Sequence, residues 1–413
     1  MNFLNDVEMI FMKIQLGVIF GGDTVEHEVS IITAVQAMEN MDQNKYDIIP
    51  IYISKDRTWY TGKMLMDIDI YKNFNDLKKY AKKVALVNNS GKFQLQTINK
   101  LFRRTVATLD LAFPIVHGKG AEDGSLQGYL DSIGIPYVGS NVLGSALGQD
   151  KVVLKQVLES NNISVPKYTW FYDYEYINKK DEIIKNIEKL GYPVIIKPAC
   201  LGSSVGITVV KDKKGLDSAI NEAIKYETKI VVEEMIQDLV EVDCAVLGNY
   251  ENQEVSLTAE MLTNNDFLTF QDKYLSGGKG KLKGSKGLSN KGNMSNSSFN
   301  IPANIDNKLI KEVEDLSLKT FRALNLSGVA RIDFLIDKKQ GKVYVNEPNT
   351  IPGSLAFYMF KPKGIEYKTL LDNLINYSIK DYKNKSKKIS SFESNVLSSY
   401  SGSKGCKKLN GIK

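Results

Sequence analysis

Short apolar runs alternate with helical patterns in the first third of the chain. An apolar run at 14–20 ends in two glycines, and apolar residues then recur at helical spacing over 29–41. Two more apolar runs cover 46–53 and 109–116. Buried strands that alternate with helices are typical of a parallel α/β unit, in which the connecting helices cover the sheet. The pattern therefore predicts such a unit, ending near residue 139.

The rest of the chain continues with strands and helices and ends in a segment rich in Lys and Ser. The predicted strands lie at 168–172, 193–198, 207–211, 229–235, 242–247 and 254–261, with a hairpin whose arms are 329–336 and 342–345. The predicted helices lie at 150–159, 181–190 and 306–324. We predict three subdomains and a disordered tail, with the boundaries 13–139, 140–235, 236–379 and 380–413.

The formal charge of +6 is concentrated in two lysine-rich segments. Five lysines and no acid lie in 276–300, and nine lysines against two acids lie in 380–413. These segments together carry +12, so the remainder of the chain carries −6. A fold that binds nucleic acid needs a basic surface, and this distribution of charge predicts no nucleic-acid partner.

Cysteine use and hydropathy indicate a cytoplasmic protein. Cys200, Cys244 and Cys406 never stand in C-x-x-C spacing, so we expect neither a disulfide framework nor a zinc site. No apolar stretch approaches the length that spans a bilayer, and residues 1–12 lack the pattern of a signal peptide. We therefore predict no membrane partner.

A lysine at a strand end precedes a Gly/Ser turn in the middle of the chain. The segment begins at Lys197 and reads K-P-A-C-L-G-S-S-V-G. Backbone N–H groups of such a turn can point together at a phosphate, and the lysine adds positive charge. A Gly/Ser hairpin is far more often only a turn, and the Gly-Lys-Ser ending of a P-loop is missing. By itself the segment is a weak indication of phosphate binding.

The predicted hairpin carries polar side chains at alternate positions on both arms. Arg331 and Asp333 share one face of the first arm because side chains alternate along a strand, and Glu347 and Asn349 do so on the second. Two carboxylates and an amide suit Mg²⁺, which prefers oxygen ligands. A surface hairpin with one Arg–Asp pair explains the same residues, and both interpretations stay open.

Both histidines of the chain lie in polar loops that follow predicted strands. His27 stands in V-E-H-E-V-S, and His117 begins H-G-K-G-A-E-D-G. A single histidine is usually structural. Two histidines beside carboxylates in equivalent loops favour a ligand site.

Six segments, taken in order, resemble the D-alanine–D-alanine ligase family, a branch of the ATP-grasp ligases. They are G-G-x-x-x-E-H-E-V-S, H-G-x-x-x-E-D-G-x-L-Q-G, K-P-x-x-x-G-S-S-V-G, the stretch from Glu233-Glu234 to Glu241, R-I-D-F and N-E-x-N-T-x-P-G. Each segment is a weak signal alone, whereas six at sensible spacing are specific. The resemblance implies an α/β fold of three-subdomain ATP-grasp architecture with an N-terminal parallel α/β (pre-ATP-grasp) unit.

The resemblance also implies an ATP site, a metal site and two substrate sites. The ATP contacts would be Lys151, Lys197, Gly202, Ser203, Ser204, Gly206, Glu234 beside adenine, Glu241 at the ribose, and Lys273. The ligands of Mg²⁺ or Mn²⁺ would be Asp333, Glu347 and Asn349. The catalytic residues would be Glu26, Ser203, Arg331 and Gly353, and the substrate contacts Glu26, His117, Tyr274 and Tyr358. Lys273 and Tyr274 match a mobile loop, here 263–300, that closes over the nucleotide.

The implied activity is ATP-dependent synthesis of D-alanyl-D-alanine for peptidoglycan precursors through an acyl phosphate, and the family suggests a homodimer. Tyr358 departs from the family, because the acceptor-binding position there usually carries Ser. A D-Ala–D-Ser ligase, or another D-amino-acid dipeptide ligase, therefore stays open. A nucleotide-binding regulatory protein without catalysis and a dinucleotide-dependent dehydrogenase are further alternatives, the latter resting on the glycine pair after the first strand.

Overall fold

The computed structural model describes residues 13–98, 102–202, 205–262, 299–392 and 394–395. Within these ranges the chain forms three β-sheets and the helices that cover them. The strands are β1 (Ile14–Gly21), β2 (Tyr46–Ile53), β3 (Trp59–Thr61), β4 (Lys82–Asn89), β5 (Lys92–Thr97), β6 (Thr105–Leu109), β7 (Leu111–Ile115), β8 (Tyr168–Tyr172), β9 (Val194–Pro198), β10 (Thr208–Val210), β11 (Lys229–Glu234), β12 (Leu239–Gly248), β13 (Gln253–Val255), β14 (Ala259–Met261), β15 (Phe299–Asn300), β16 (Gly328–Asp337) and β17 (Lys342–Asn349).

The α-helices lie between and around these strands. They are α1 (His27–Asn40), α2 (Phe74–Tyr80), α3 (Ser125–Ile133), α4 (Val142–Gln149), α5 (Lys151–Ser160), α6 (Asp173–Asn178), α7 (Lys180–Glu188), α8 (Leu216–Ile224), α9 (Asn307–Ala323), α10 (Phe357–Phe360) and α11 (Tyr367–Ser386). Short 3₁₀ segments cover Lys63–Met66, Ile68–Lys72, Lys213–Gly215, Gly353–Ala356 and Lys361–Lys363. No helix among the described residues is long and apolar enough to cross a membrane.

The first sheet is mixed rather than wholly parallel. Its strand order is β6-β5-β4-β3-β2-β1-β7, and β1 pairs in parallel with β2 and β7. The remaining pairings in this sheet are antiparallel. The predicted parallel unit is therefore confirmed for its central strands. The prediction overlooked β3, β4 and β5, because β3 is short and the other two alternate irregularly between buried and exposed positions.

The strand predicted at 109–116 is confirmed as β7 over 111–115, whereas Leu109 ends β6, because the chain changes partner at Asp110. β6 pairs with β5, whereas β7 pairs with β1. Asp110 joins the two through Gln15, donating its backbone N–H to the Gln15 carbonyl (2.9 Å) and accepting the Gln15 N–H on its carboxylate (2.8 Å). An apolar run cannot reveal such a change, since β7 is wholly buried and β6 ends buried.

The end of β1 directs the chain into the first candidate loop. The strand is buried from Leu16 onward, and Gly21 adopts a φ of +93°. A Cβ atom at Gly21 would lie 2.2 Å from the carbonyl oxygen of Ile53, so only glycine fits this position. The chain thereby leaves the sheet and places Glu26 directly before α1.

The second and third sheets are antiparallel throughout their described pairings. Their strand orders are β10-β9-β11-β8 and β15-β14-β12-β16-β17, and β13 also pairs with β12. The strand predicted at 254–261 is wrong, because β13 and β14 pair with different parts of β12. Ser256 lies between them, donating its N–H to the Ala245 carbonyl (2.7 Å) and accepting the Ala245 N–H on its hydroxyl (2.9 Å).

The last helix fixes the first unit against the third. The Asp372 carboxylate on α11 accepts hydrogen bonds from Lys45 (2.7 Å) and from the Tyr46 hydroxyl (2.8 Å). Leu370 and Leu374 belong to the same buried apolar cluster as the first sheet. Each sheet takes its strands from one predicted subdomain, while the subdomain boundaries themselves stay a prediction.

The predicted tail is wrong at its start, because α11 continues to Ser386. Asp381 accepts hydrogen bonds from Asn249 (2.7 Å) and Ser327 (3.3 Å), and Lys380 pairs with Glu251. These contacts hold a lysine-rich stretch in helical form. Position 393 and the chain from 396 on lie outside the described residues.

We predict that Phe321→Ala destabilises the protein by about 3 to 5 kcal/mol, because the ring fills the core between α9 and the third sheet and its loss leaves a cavity. Phe392→Ala is the matched control, since Phe392 is 83% exposed. Urea unfolding at equal protein concentration measures both. Equal unfolding midpoints for the two variants would contradict the assigned core.

Candidate active site

The polar face of the β16–β17 hairpin forms one aligned cluster. Arg331 stands opposite Asn349 and Asp333 opposite Glu347 in the strand register. The guanidinium of Arg331 binds both carboxylate oxygens of Asp333, with Nε–Oδ1 at 2.7 Å and Nη2–Oδ2 at 2.9 Å. The amide of Asn349 donates to Asp333 Oδ2 (3.1 Å). The alternation predicted for the two arms is confirmed.

A third strand adds a carboxylate to this cluster. Asp243 on β12 stands opposite Asp333, and its Oδ2 lies 3.3 Å from Arg331 Nε. Burial alone lowers the pKa of the Arg331 guanidinium, and the charges of Asp333 and Asp243 more than reverse this effect, so the pKa is raised. Arg331 therefore stays charged and holds the carboxylates in fixed positions.

The donor set of the hairpin fits a hard cation. Asp333 and Glu347 face each other across two strands, with Asn349 one pleat further along. The described residues contain no cluster of three or more His, Cys, Asp or Glu arranged for a metal, so an amide has to complete this set. Carboxylate and amide oxygens are suitable ligands for Mg²⁺.

Lysines from the second unit reach the same place. Lys151 Nζ lies 3.0 Å from Glu347 Oε2 and donates to the carbonyl of Leu201 (2.9 Å). Lys197 Nζ contacts Asn346 Oδ1 at 3.5 Å, on the strand that carries Glu347. The two lysines predicted for phosphate binding therefore stand beside the predicted metal ligands.

A buried ion cluster anchors Lys197. Glu233 binds Lys197 through Oε2 (2.9 Å) and Lys155 through Oε1 (3.2 Å). Burial alone raises the pKa of Glu233, but the charges of Lys155 and Lys197 outweigh it and lower the pKa to about 2. Sequence reasoning named Glu233 within a motif but gave it no role, and it missed Lys155. The available signal was helical spacing, because Lys155 lies one turn after Lys151 on α5.

The Gly/Ser turn reaches the first unit. A Cβ atom on Gly202 would lie 3.7 Å from Glu26 Oε2, so this turn approaches the predicted acid of the first loop. Gly206 has a φ of +72°, and a Cβ there would lie 2.8 Å from Pro198. Four predicted site residues, Ser203, Ser204, Lys273 and Tyr274, lie outside the described residues.

Two carboxylates meet in the loops of the first unit. A Cβ atom on Gly118 would lie 2.7 Å from Glu26 Oε2, and Glu122 accepts the N–H of Gly118 (2.8 Å). Glu122 also accepts the N–H of Ile351 (3.1 Å), which ties this loop to the third unit. Burial, with the charge of Glu26 as the next cause, raises the pKa of Glu122 to about 8. Glu122 was missed although the E-D-G segment contains it.

The two histidines have different roles. His27 Nδ1 contacts the Gly22 carbonyl (2.6 Å) and its Nε2 contacts the Tyr52 hydroxyl (3.0 Å), which makes His27 a structural residue. The expectation of a ligand role is therefore wrong for His27. His117 Nε2 lies 3.1 Å from Thr33 Oγ1. Burial lowers the pKa of His117 to about 4, so its ring is neutral near pH 7.

The segment after β17 adopts a strained turn. Ser354, Leu355 and Ala356 have φ values of 50°, 51° and 53°, a left-handed conformation that costs a non-glycine residue about 1 to 2 kcal/mol. Ser354 donates its N–H to Thr33 Oγ1 (3.1 Å) and its hydroxyl to Gln36 Oε1 (2.8 Å). Contacts with α1 thus hold this turn beside Gly353.

Tyr358 lies against the hairpin cluster. Its ring stacks on Phe299, with centroids 5.2 Å apart. Burial raises the pKa of the Tyr358 hydroxyl, and a hydrogen bond from Arg331 opposes the rise. Tyr358, the predicted acceptor contact, therefore touches Arg331.

A cavity of about 310 Å³ lies between the second and third sheets. Its lining includes Glu234, Ile236 and Tyr344. The Glu234 carboxylate accepts the backbone N–H of Lys167 (2.8 Å), which orients it at the edge of the cavity. Glu241 lies two residues from Asp243 on β12, so both side chains leave the same face of the strand.

We predict that Glu122→Gln becomes more stable relative to the parent protein as the pH rises from about 5 to about 9. Glu122 binds its proton more tightly in the folded state, where burial raises its pKa from the ordinary 4.5 to about 8. In the parent protein, the protonated Glu122 carboxyl makes its full contribution to the stability below about pH 5, and this contribution is lost as the pH rises through 8. Urea unfolding midpoints across the range measure the difference.

Glu182→Gln, an exposed substitution on α7, controls for the loss of one charge in that series. A difference between Glu122→Gln and the parent that stays constant, or that shrinks with rising pH, would contradict the assigned protonation.

Comparison with known proteins identifies the family. Residues 15–140 match the family model of the D-ala D-ala ligase N-terminus, and residues 157–376 match that of the D-ala D-ala ligase C-terminus. The D-alanine–D-alanine ligase of Thermosipho melanesiensis is 40% identical over 389 residues, covering 93% of this chain and 98% of the relative.

Solved structures agree in fold. The D-alanine-D-alanine ligase from Coxiella burnetii gives a TM-score of 0.74 at 26% identity, covering 91% of this chain and 96% of that one. The VanG D-Ala:D-Ser ligase from Enterococcus faecalis gives a TM-score of 0.72 at 32% identity, covering 89% and 100%. The predicted three-subdomain ATP-grasp architecture is confirmed by these matches. This chain therefore belongs to the D-alanine–D-alanine ligase family.

Proposed function

We propose that this protein is an ATP-dependent ligase that joins two molecules of D-alanine for peptidoglycan precursors. One observation carries the proposal: the lysines of the second unit and the carboxylates of the third unit meet at the contact between Lys151 and Glu347 (3.0 Å). This junction puts positive charge for phosphates beside oxygen ligands for a cation, as phosphoryl transfer requires. Membership of the family supports the same reaction.

The nucleotide would lie between the second and third sheets. Glu234, at the end of β11 where the second unit continues into the third, is the proposed neighbour of adenine. Glu241 would contact the ribose. Lys151 and Lys197 would bind the phosphates together with the turn from Gly202 to Gly206, and Lys273 is a further proposed contact.

Mg²⁺ or Mn²⁺ would be held by Asp333, Glu347 and Asn349. When bound, such an ion neutralises negative charge on phosphate oxygens. Arg331 and Lys151 bind the same carboxylates from the side, at 2.7 Å and 3.0 Å. These contacts orient the ligands before a cation arrives, because each carboxylate already has a fixed partner.

The reaction has to overcome the poor reactivity of a carboxylate toward an amine. A carboxylate oxygen of the first D-alanine attacks the γ-phosphorus of ATP, an O–P bond forms, and the O–P bond to ADP breaks. The amine of the second D-alanine then attacks the acyl carbon and loses a proton, and phosphate leaves. Arg331 and the N–H of Gly353 would stabilise the intervening oxyanion, at about 3 to 4 kcal/mol per donor.

The first substrate would occupy the loops of the N-terminal unit. Glu26 is the proposed partner of its ammonium group, and the neutral His117 would line the same site. Glu122 stabilises this site, because its carboxylate accepts hydrogen bonds from the backbone N–H groups of Gly118 and Ile351. Ser203 and Tyr274 are the remaining proposed contacts.

The proposed acceptor site differs from the family pattern, because Tyr358 replaces a small hydroxyl residue. Its phenol, which touches Arg331, can still bond an acceptor carboxylate. The similarity to a D-Ala:D-Ser ligase, at 32% identity, favours D-serine as a second candidate acceptor. A homodimer and a cytoplasmic location stay predictions from the resemblance and the sequence.

We predict that the protein, given D-alanine, ATP and Mg²⁺, makes D-alanyl-D-alanine, and that Arg331→Ala lowers kcat by about 10² to 10³, because an oxyanion donor is lost. Arg322→Ala, exposed on α9, is the matched control. Mass spectrometry of products with D-alanine, D-serine and D-lactate measures the reaction. ATP binding without any coupled product would instead support a regulatory nucleotide-binding protein.

We predict that Tyr358→Phe raises the KM of the acceptor about tenfold, because a hydrogen bond to a charged group is lost. The KM of ATP is expected to change less than about twofold, since Tyr358 contacts the hairpin from the acceptor side. Tyr174→Phe, with Tyr174 exposed on α6, is the control. The ratio of D-alanyl-D-alanine to D-alanyl-D-serine at equal acceptor concentrations gives the specificity. An unchanged acceptor KM would remove Tyr358 from this site.

A further inference from the structure

A buried threonine on α1 contacts both substrate-side loops. Thr33 is 1% exposed, and its Oγ1 accepts the N–H of Ser354 (3.1 Å). The same oxygen lies 3.1 Å from His117 Nε2. A hydroxyl can donate one hydrogen bond while accepting others, so both contacts can exist together. One side chain therefore links the loop of the first substrate to the loop after β17.

The loop after β17 needs external contacts to keep its shape. Three successive non-glycine residues, Ser354 to Ala356, have left-handed backbone angles. Such angles persist only where surrounding contacts determine them. The contacts come from α1, where Thr33 and Gln36 lie three residues apart on one helix face. Glu122 holds the other end of the loop through Ile351.

We propose that Thr33 is a positioning residue that sets the distance between the two reacting substrates. Its hydroxyl oxygen contacts both the left-handed turn next to Gly353 and the ring of His117, and these two contacts fix the separation of the two loops. The inference rests on the proposed roles of Gly353 at the oxyanion and of His117 at the first substrate. Thr33 itself lies too deep in the core to touch either substrate.

The expected consequence concerns the second half of the reaction. Phosphorylation of the first substrate depends on Lys151, Lys197 and the hairpin, whereas the hydrogen bonds of Thr33 among the described residues go to His117 and Ser354. Attack by the second amine depends on Gly353 and on the first substrate keeping their mutual position. A displaced turn slows this attack and lets water compete for the acyl phosphate. Loss of Thr33 would therefore release more than one phosphate per dipeptide.

Thr33→Val tests the inference, because valine has the shape of threonine and lacks the hydroxyl. Thr33→Ser keeps the hydroxyl and serves as the rescue variant. Thr61→Val is the matched control, since Thr61 is also buried and its hydroxyl donates to the Pro50 carbonyl (2.8 Å) away from the site. The measurements are kcat for dipeptide, the ratio of phosphate to dipeptide, and the KM of ATP.

We expect Thr33→Val to lower kcat for dipeptide at least about tenfold and to raise the phosphate-to-dipeptide ratio, with the KM of ATP within about twofold of the parent. Thr33→Ser should recover most of the rate, and Thr61→Val should keep the ratio near one. Equal ratios for Thr33→Val and Thr61→Val would overturn the inference, as would equal losses for valine and serine at position 33. Absence of dipeptide from the parent protein would overturn the proposed function as well.

Discussion

The two-point contact between Arg331 and Asp333 is the interaction on which the polar face of the third sheet depends. Both groups are largely buried, and a buried charge is tolerated only when it is paired and hydrogen-bonded. Asp243 and Asn349 complete the pairing from the neighbouring strands. Two further ion pairs follow the same rule, Lys151 with Glu347 and Lys197 with Glu233. A series of paired charges thus extends from the hairpin to the proposed nucleotide site. Each pair restricts the side-chain positions of the next.

Apolar packing and polar contacts hold the three units together in different ways. Behind the site, α11 and the first sheet share one apolar cluster, which fixes the units at close range. At the site the units touch through single polar contacts, such as Glu122 with Ile351 and Thr33 with Ser354. Apolar burial sets the overall distance without directional precision, whereas hydrogen bonds select one geometry within that distance. The substrate loops therefore depend on both.

The acceptor side combines two features that ordinary packing does not require. The turn from Ser354 to Ala356 is strained, and the Tyr358 ring that follows is stacked on Phe299 against Arg331. Strain of this kind is common where a backbone has to present groups to a ligand. Tyr358 can therefore influence the acceptor side through its contact with Arg331, while the carboxylates of the hairpin keep their own partners.

The sequence by itself determined the central strands, the alternation of the hairpin and the order of the six motifs. β2 and β8 have the predicted bounds, and Arg331 and Asp333 share a face, because strand periodicity is a local property. Only the tertiary structure decided which distant groups meet. Glu122 and Thr33 became visible as site residues through contacts across the units, Glu233 and Lys155 through their ion pair within the second unit, and His27 became structural through Tyr52. A one-dimensional pattern states which way a side chain points, while its partner is set by how whole elements pack.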